Sequence, residues 1–159
     1  MYAARQNHPK VTEFLLQSNA DPDIVRDHGG SPMLLAADRG HTEVVEMLLK
    51  YKGDPNIHCD HGTTPLILAA QEGHLKTMKV LIKNGAELEM QKYESNISAL
   101  YGAAKKGHLE CVKMLVDNGA NINLKGENDL TPLKVALKNN HTETADYLKF
   151  IEEKKKTET

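Results

Sequence analysis

Tryptophan is absent from this chain and phenylalanine occurs only twice, so its core must be built from aliphatic side chains and alanine rather than aromatic anchors. Two cysteines, Cys59 and Cys111, are too few for the disulfide frameworks that hold small secreted domains together. Arginine is scarce, three residues against seventeen lysines, which disfavours a surface that reads phosphates with guanidinium forks. The formal charge of −2 gives no net attraction to nucleic acid or to an anionic membrane. No apolar run reaches the roughly 20 residues needed to cross a bilayer, and no secretory leader pattern is present. A glycine-rich phosphate loop, a serine elbow and a nucleotide fingerprint are missing too. These absences predict a soluble intracellular protein, cytoplasmic or nuclear, that is not an enzyme and carries no cofactor.

What the chain does have is a period. His8, His41, His74, His108 and His141 are spaced 33, 33, 34 and 33 residues apart. Each sits in an equivalent phrase: QNHPKVTEFLL, RGHTEVVEMLL, EGHLKTMKVLI, KGHLECVKMLV and NNHTETADYLK. Upstream of the last four lies a second phrase, SPMLLAA, TPLILAA, SALYGAA and TPLKVAL. A repeat of this length means stacked supersecondary units.

Each unit reads as helix, turn, helix and projecting loop. Ser31, Thr64, Ser98 and Thr131 are candidate caps, three of them followed by a proline that loses no bond at the first helical position. The first helix ends at Gly40, Gly73 or Gly107, with Asn7 and Asn140 in the outer units, residues suited to a left-handed turn. The second helix carries an apolar face, as in Val44, Val45, Leu48 and Leu49. It stops at Gly85 or Gly119, and Lys52 occupies the same position in its own unit, where a left-handed turn costs about 1 kcal/mol.

These phrases, TPLxxAA followed by GH, VxxLL and GA, resemble ankyrin repeats over nearly the whole chain. The resemblance implies an all-α solenoid of helix-turn-helix units with projecting β-hairpin loops. Residues 1–25 would form a partial repeat, about 26–58, 59–91 and 92–125 full repeats, 126–151 a capping repeat and 152–159 a charged polar tail. The histidine usual after Thr-Pro-Leu is replaced by Leu34, Ile67, Tyr101 and Lys134, and the third hairpin has one extra residue near 92–96. Met1 aligns with Leu34 in mid-helix, so the chain is expected to be the end of a longer array. At its other end, Lys134 and Lys149 replace aliphatic positions, as a cap requires.

The stretch NIHCDHGTTP raises a rival. His58, Cys59 and His61 could ligate zinc, making a metal- or redox-responsive module. Zinc, however, takes three or four convergent ligands, and His58 and Cys59 point to opposite faces of an extended segment. Because RDHGGSP matches CDHGTTP at its centre, the cluster is expected to be one hairpin tip with no metal bound. The five periodic histidines are expected to be scaffold, bonding to a neighbouring hairpin. Cys111, at the position of Val44, is expected in the core, and Cys59 on the loop has no base to activate it.

The resemblance further implies partner binding through a concave surface of hairpin tips and first helices. Its residues would be Asp27, His28, Asp60, His61, Tyr93, Glu94, Ser95, Glu127 and Asn128 on the tips. The first helices would add Arg5, Gln6, Asp38, Arg39, Gln71, Glu72, Lys105, Lys106, Lys138 and Asn139. Asp27, Asp60, Glu94 and Glu127 would make an acidic edge, Lys105, Lys106 and Lys138 a basic floor, and Tyr93 an anchor. The expected function is a non-enzymatic protein-protein interaction module, a monomeric domain binding another protein or a peptide segment. Targeting or capping a larger enzyme is a further alternative, and nucleic acid is disfavoured. Asn56 and Asn123 fall where asparagines of similar repeats can be hydroxylated.

Overall fold

The structure is a computed structural model that describes residues 1–26 and 29–157. Among the described residues, ten α-helices pair into five units: α1 (Tyr2–Arg5) with α2 (Pro9–Gln17), α3 (Pro32–Asp38) with α4 (Thr42–Lys50), and α5 (Pro65–Gln71) with α6 (Leu75–Lys83). The last two are α7 (Ala99–Lys106) with α8 (Leu109–Asp117), and α9 (Pro132–Lys138) with α10 (Thr142–Thr157). Odd-numbered helices pack on odd and even on even along the stack, so two helical layers enclose one continuous core.

Local chemistry explains the units. The side chains of Ser31, Thr64, Ser98 and Thr131 accept from the backbone N–H of Leu34, Ile67, Tyr101 and Lys134, each three residues on. These caps satisfy donors that the first helical turn would leave orphaned. Alanines at the ends of the first helices, such as Ala36, Ala37, Ala69, Ala70, Ala103 and Ala104, are fully buried, which lets neighbouring helices approach closely. Lys52 keeps the left-handed turn, with φ +67°.

Among the described residues, the periodic histidines bond to no hairpin. Nε2 of His41, His74, His108 and His141 lies 3.0–3.2 Å from the carbonyl of Arg5, Asp38, Gln71 and Lys105, respectively. Each acceptor is a last-turn carbonyl of the preceding unit's first helix, which has no partner within its own helix. Each imidazole therefore staples two units. For His74, His108 and His141 the ring also explains the glycine it packs against, Gly40, Gly73 and Gly107: a Cβ at Gly107 would lie 2.5 Å from His141 Nδ1, and Gly107 has φ +76°. Asn140, with φ +60°, has no such ring to accommodate.

A second staple runs along the loops. Asp54 N–H donates to the Asp23 carboxylate at 2.9 and 3.1 Å, Glu87 N–H to Asn56 Oδ1 at 2.8 Å, and Asn121 N–H to Glu89 Oε1 at 2.8 Å. Burial pushes the Asp23 carboxyl upward, only partly offset by the Asp54 N–H.

The projecting loops close by one tight turn: Arg26 N–H to the Gly30 carbonyl, Cys59 to Thr63, Lys92 to Ile97 and Gly126 to Leu130. The third spans one residue more, which places the insertion between Lys92 and Ile97. No strand is formed among the described residues. The stretch from Glu152, expected as a solvated tail, continues α10 to Thr157. Glu and Lys are good helix formers, and a helix already nucleated by packing needs only propagation. Glu143 in its first turn and Lys154, Lys155 and Lys156 in its last suit the helix dipole.

Candidate functional site

The first-helix ends and the loop tips meet on one side of the stack. Asp38 and Arg39 at the end of α3, Glu72 after α5, Lys106 in α7, and Lys138 and Asn139 at α9 are exposed; Gln71 and Lys105 are half-buried. Arg5 and Gln6 are exposed at the end of α1. On the tips, Asp60, His61, Tyr93, Glu94 and Asn128 are exposed, while Ser95 and Glu127 are half-buried. Asp27 and His28 lie outside the described residues.

Two bridges join tips to helices. Lys105 Nζ is 2.5 Å from Glu127 Oε2, so the expected acidic edge and basic floor are not separate at this point: they neutralise one another. The second bridge involves a residue missed in the sequence. Lys92, half-buried at the start of the third tip, donates from Nζ to Gln71 Oε1 at 3.0 Å. Gln71 lies flat over Gly102, where a Cβ would come within 2.6 Å of its Cγ. Lys92 has no carboxylate within ion-pair reach among the described residues. Burial, above all, holds its ammonium below the usual lysine range. Only its place beside the irregular Tyr93 tip could have flagged it.

Tyr93 is not a detached anchor. Its N–H donates to the His61 carbonyl at 3.0 Å, and its ring meets His58 edge-on with centroids 5.8 Å apart. A Cβ on Gly62 would lie 2.8 Å from that ring, so the third tip leans on the second, with Tyr93 still 58% exposed. Tyr101 is buried beneath Gly126 and donates its hydroxyl to the Glu127 carbonyl at 3.3 Å. Burial, and then the Glu127 charge, raise its phenol above the ordinary value. This tyrosine, in place of the aliphatic Leu34 and Ile67, props up the fourth tip.

The two cysteines have opposite settings. Cys111 is buried, and that burial pushes its thiol up to about 11. Cys59 is half-buried. Burial pushes its thiol up, but the Thr63 hydroxyl and the N–H groups of His61 and Thr63 draw it below the ordinary value. No group of three His, Cys, Asp or Glu side chains is placed to hold a metal ion among the described residues. His58 instead turns Nδ1 toward the Cys59 carbonyl at 3.1 Å.

Family models for ankyrin repeats match residues 1–92, as three copies, and residues 100–148, as many copies. The chain belongs to the ankyrin-repeat family. Ankyrin repeats are generally protein-protein interaction modules and typically non-enzymatic. No curated protein matches the chain. No helix among the described residues is long and apolar enough to cross a membrane.

Proposed function

We propose that this ankyrin array is a non-enzymatic intracellular module that binds a protein segment across its loop tips and first-helix ends. The observation that supports it most is the Lys92 ammonium. Gln71 and the Gly102 notch hold it in place, half out of water and without a carboxylate of its own. Its two remaining N–H donors suit a carboxylate or carbonyl brought by a partner, and desolvation strengthens such a contact. Lys106 and Lys138 lie on the same side, and Tyr93 offers an apolar face. The surface is preformed, so little ordering cost falls on the array when it binds.

The test compares wild type with Lys92→Gln/Lys106→Glu, each immobilised and exposed to native lysate. The variant is first shown by circular dichroism to keep its helices. Proteins held by wild type and lost by the variant support the reading; identical capture by both overturns it. A second reading, a redox-responsive module, rests on the lowered Cys59 thiol. It requires that mild oxidation change capture by wild type and not by Cys59→Ser.

A further inference from the structure

The layer of even-numbered helices repeats one groove at each junction, and one copy of it is charged differently. Between α6 and α8 an open cleft of about 410 Å³ is lined by Lys79, Ile82, Lys83, Met114 and Asn118. Ile82 and Met114 make an apolar floor: both are half-buried and pack on the core. Lys79 and Lys83, about one turn apart on α6, are exposed along its wall. Asn118 donates from Nδ2 to the Met114 carbonyl at 2.8 Å, which leaves its Oδ1 able to accept an N–H.

The other junctions carry an acid where this one does not. The positions of Lys79 and Lys83 are held by Glu13 and Gln17 on α2, Glu46 and Lys50 on α4, and Lys113 and Asp117 on α8. The lysines at those other junctions are already paired, Lys50 with Glu13 at 3.4 Å and Lys113 with Glu110 at 2.8 Å. Lys79 and Lys83 have no ion pair among the described residues. Asp117 belongs to the next groove, where burial first and then its charge raise the Tyr147 phenol. No acidic residue occurs on α6, and Lys76 adds a third exposed ammonium to it.

We propose that the α6–α8 cleft is a second docking site, for an acidic protein segment. Such a segment sets one apolar side chain on Ile82 and Met114, carboxylates on Lys79 and Lys83, and a backbone N–H on Asn118. Charge complementarity is the argument, because two unpaired ammonium groups beside an apolar floor favour a ligand that carries both features. A flat anionic membrane fits less well. Glu43 and Glu46 on α4 and Glu110 and Asp117 on α8 are exposed on either side of α6 and would repel it, whereas a single extended segment passes between them. The site lies on the second helices, away from the loop tips and first-helix ends, so it stands independently of the surface proposed above.

The experiment pans a random peptide display library on the immobilised full chain. Selected peptides are then titrated against wild type and two variants, each shown by circular dichroism to keep its helices. The expected result is a class of peptides with several Asp or Glu around one Leu, Ile, Met or Phe. Lys79→Glu/Lys83→Glu should weaken that class about tenfold, since exposed attractions are lost and repulsions of similar size replace them. Lys92→Gln/Lys106→Glu should leave it unchanged, which separates a failure here from a failure of the loop-tip reading. The proposal is overturned if no such class is enriched, or if the charge reversal on α6 leaves every acidic peptide bound as before. Phosphatidylserine vesicles held through Lys79 and Lys83 more tightly than any selected peptide would also overturn it, since the ligand would then be a membrane.

Discussion

The first and last units share one plan and meet water differently. In the last unit, positions that would face a following neighbour have turned polar: Lys134 and Lys149 stand where inner units carry Leu34, Ile67 and Tyr101, or Leu49, Ile82 and Val116, while Leu137 and Phe150 stay apolar and exposed. In the first unit nothing comparable has happened, and Val11, Phe14 and Leu15 face outward unchanged. A repeat array has two unlike end faces, and polarity at one says nothing about the other. The contrast teaches that burial here is conferred by the neighbouring unit, not by the repeat sequence itself, since leucine at a single repeat position ranges from fully buried to nearly half exposed.

The sharpest way to break that comparison is to truncate the same leucine at different depths. Leu81→Ala or Leu115→Ala should lower unfolding stability by about 3 kcal/mol, whereas Leu15→Ala should cost under about 1 kcal/mol, measured by denaturant titration. Equal costs would mean that the first unit is as tightly packed as the inner ones.

Cys111 occupies the Val11 position inside the stack and adds a pH test. Its native thiol keeps its proton to about 11, against 9.0 for an ordinary thiol. Between those values the native state binds more protons than the unfolded state, so stability falls as pH rises from 9 to 11. Relative to Cys111→Val the loss should reach about 2 kcal/mol; parallel pH curves for the two proteins would contradict it.

Gly107→Ala should cost about 2 kcal/mol, from its left-handed backbone and the displaced His141 ring. Asn140→Gly, at the equivalent place with no ring above it, should change thermal stability little. Smallest is the staple itself: His74→Ala should cost about 1 kcal/mol and His8→Ala close to nothing. A His8 cost equal to that of His74 would show that His8 already has a partner.

Much of this fold was legible in the sequence because its causes are local. Caps at Ser31 and Thr64, left-handed turns at Gly40 and Asn140, and the extra residue in the third loop all follow from side chains within a few positions. The staples were not legible for the opposite reason. Each histidine finds its acceptor 36 or 37 residues upstream, at a backbone carbonyl that leaves no mark in the sequence. The loop staple uses Asp23, Asn56 and Glu89, three residue types performing one hydrogen-bonding task, so no repeated letter betrays it. The last turns of α10 carry charge and no apolar periodicity, so the sequence marks them only as a charged polar stretch, while Glu and Lys extend a helix that packing has begun. Within the candidate site, the tips and helix ends were named from register. Lys92 was missed because its role depends on Gln71 and Gly102, neither of them near it in sequence.

Amide hydrogen exchange on the unmodified chain, resolved by unit, tests most directly whether a stiff, preformed surface rests on inner units packed more tightly than the first. The account predicts the slowest exchange in α5 through α9, which carry the Lys92, Gln71, Lys105 and Glu127 bridges, and the fastest helical exchange in α1 and α2. Uniform exchange along the stack, or α7 exchanging as fast as α2, would contradict it.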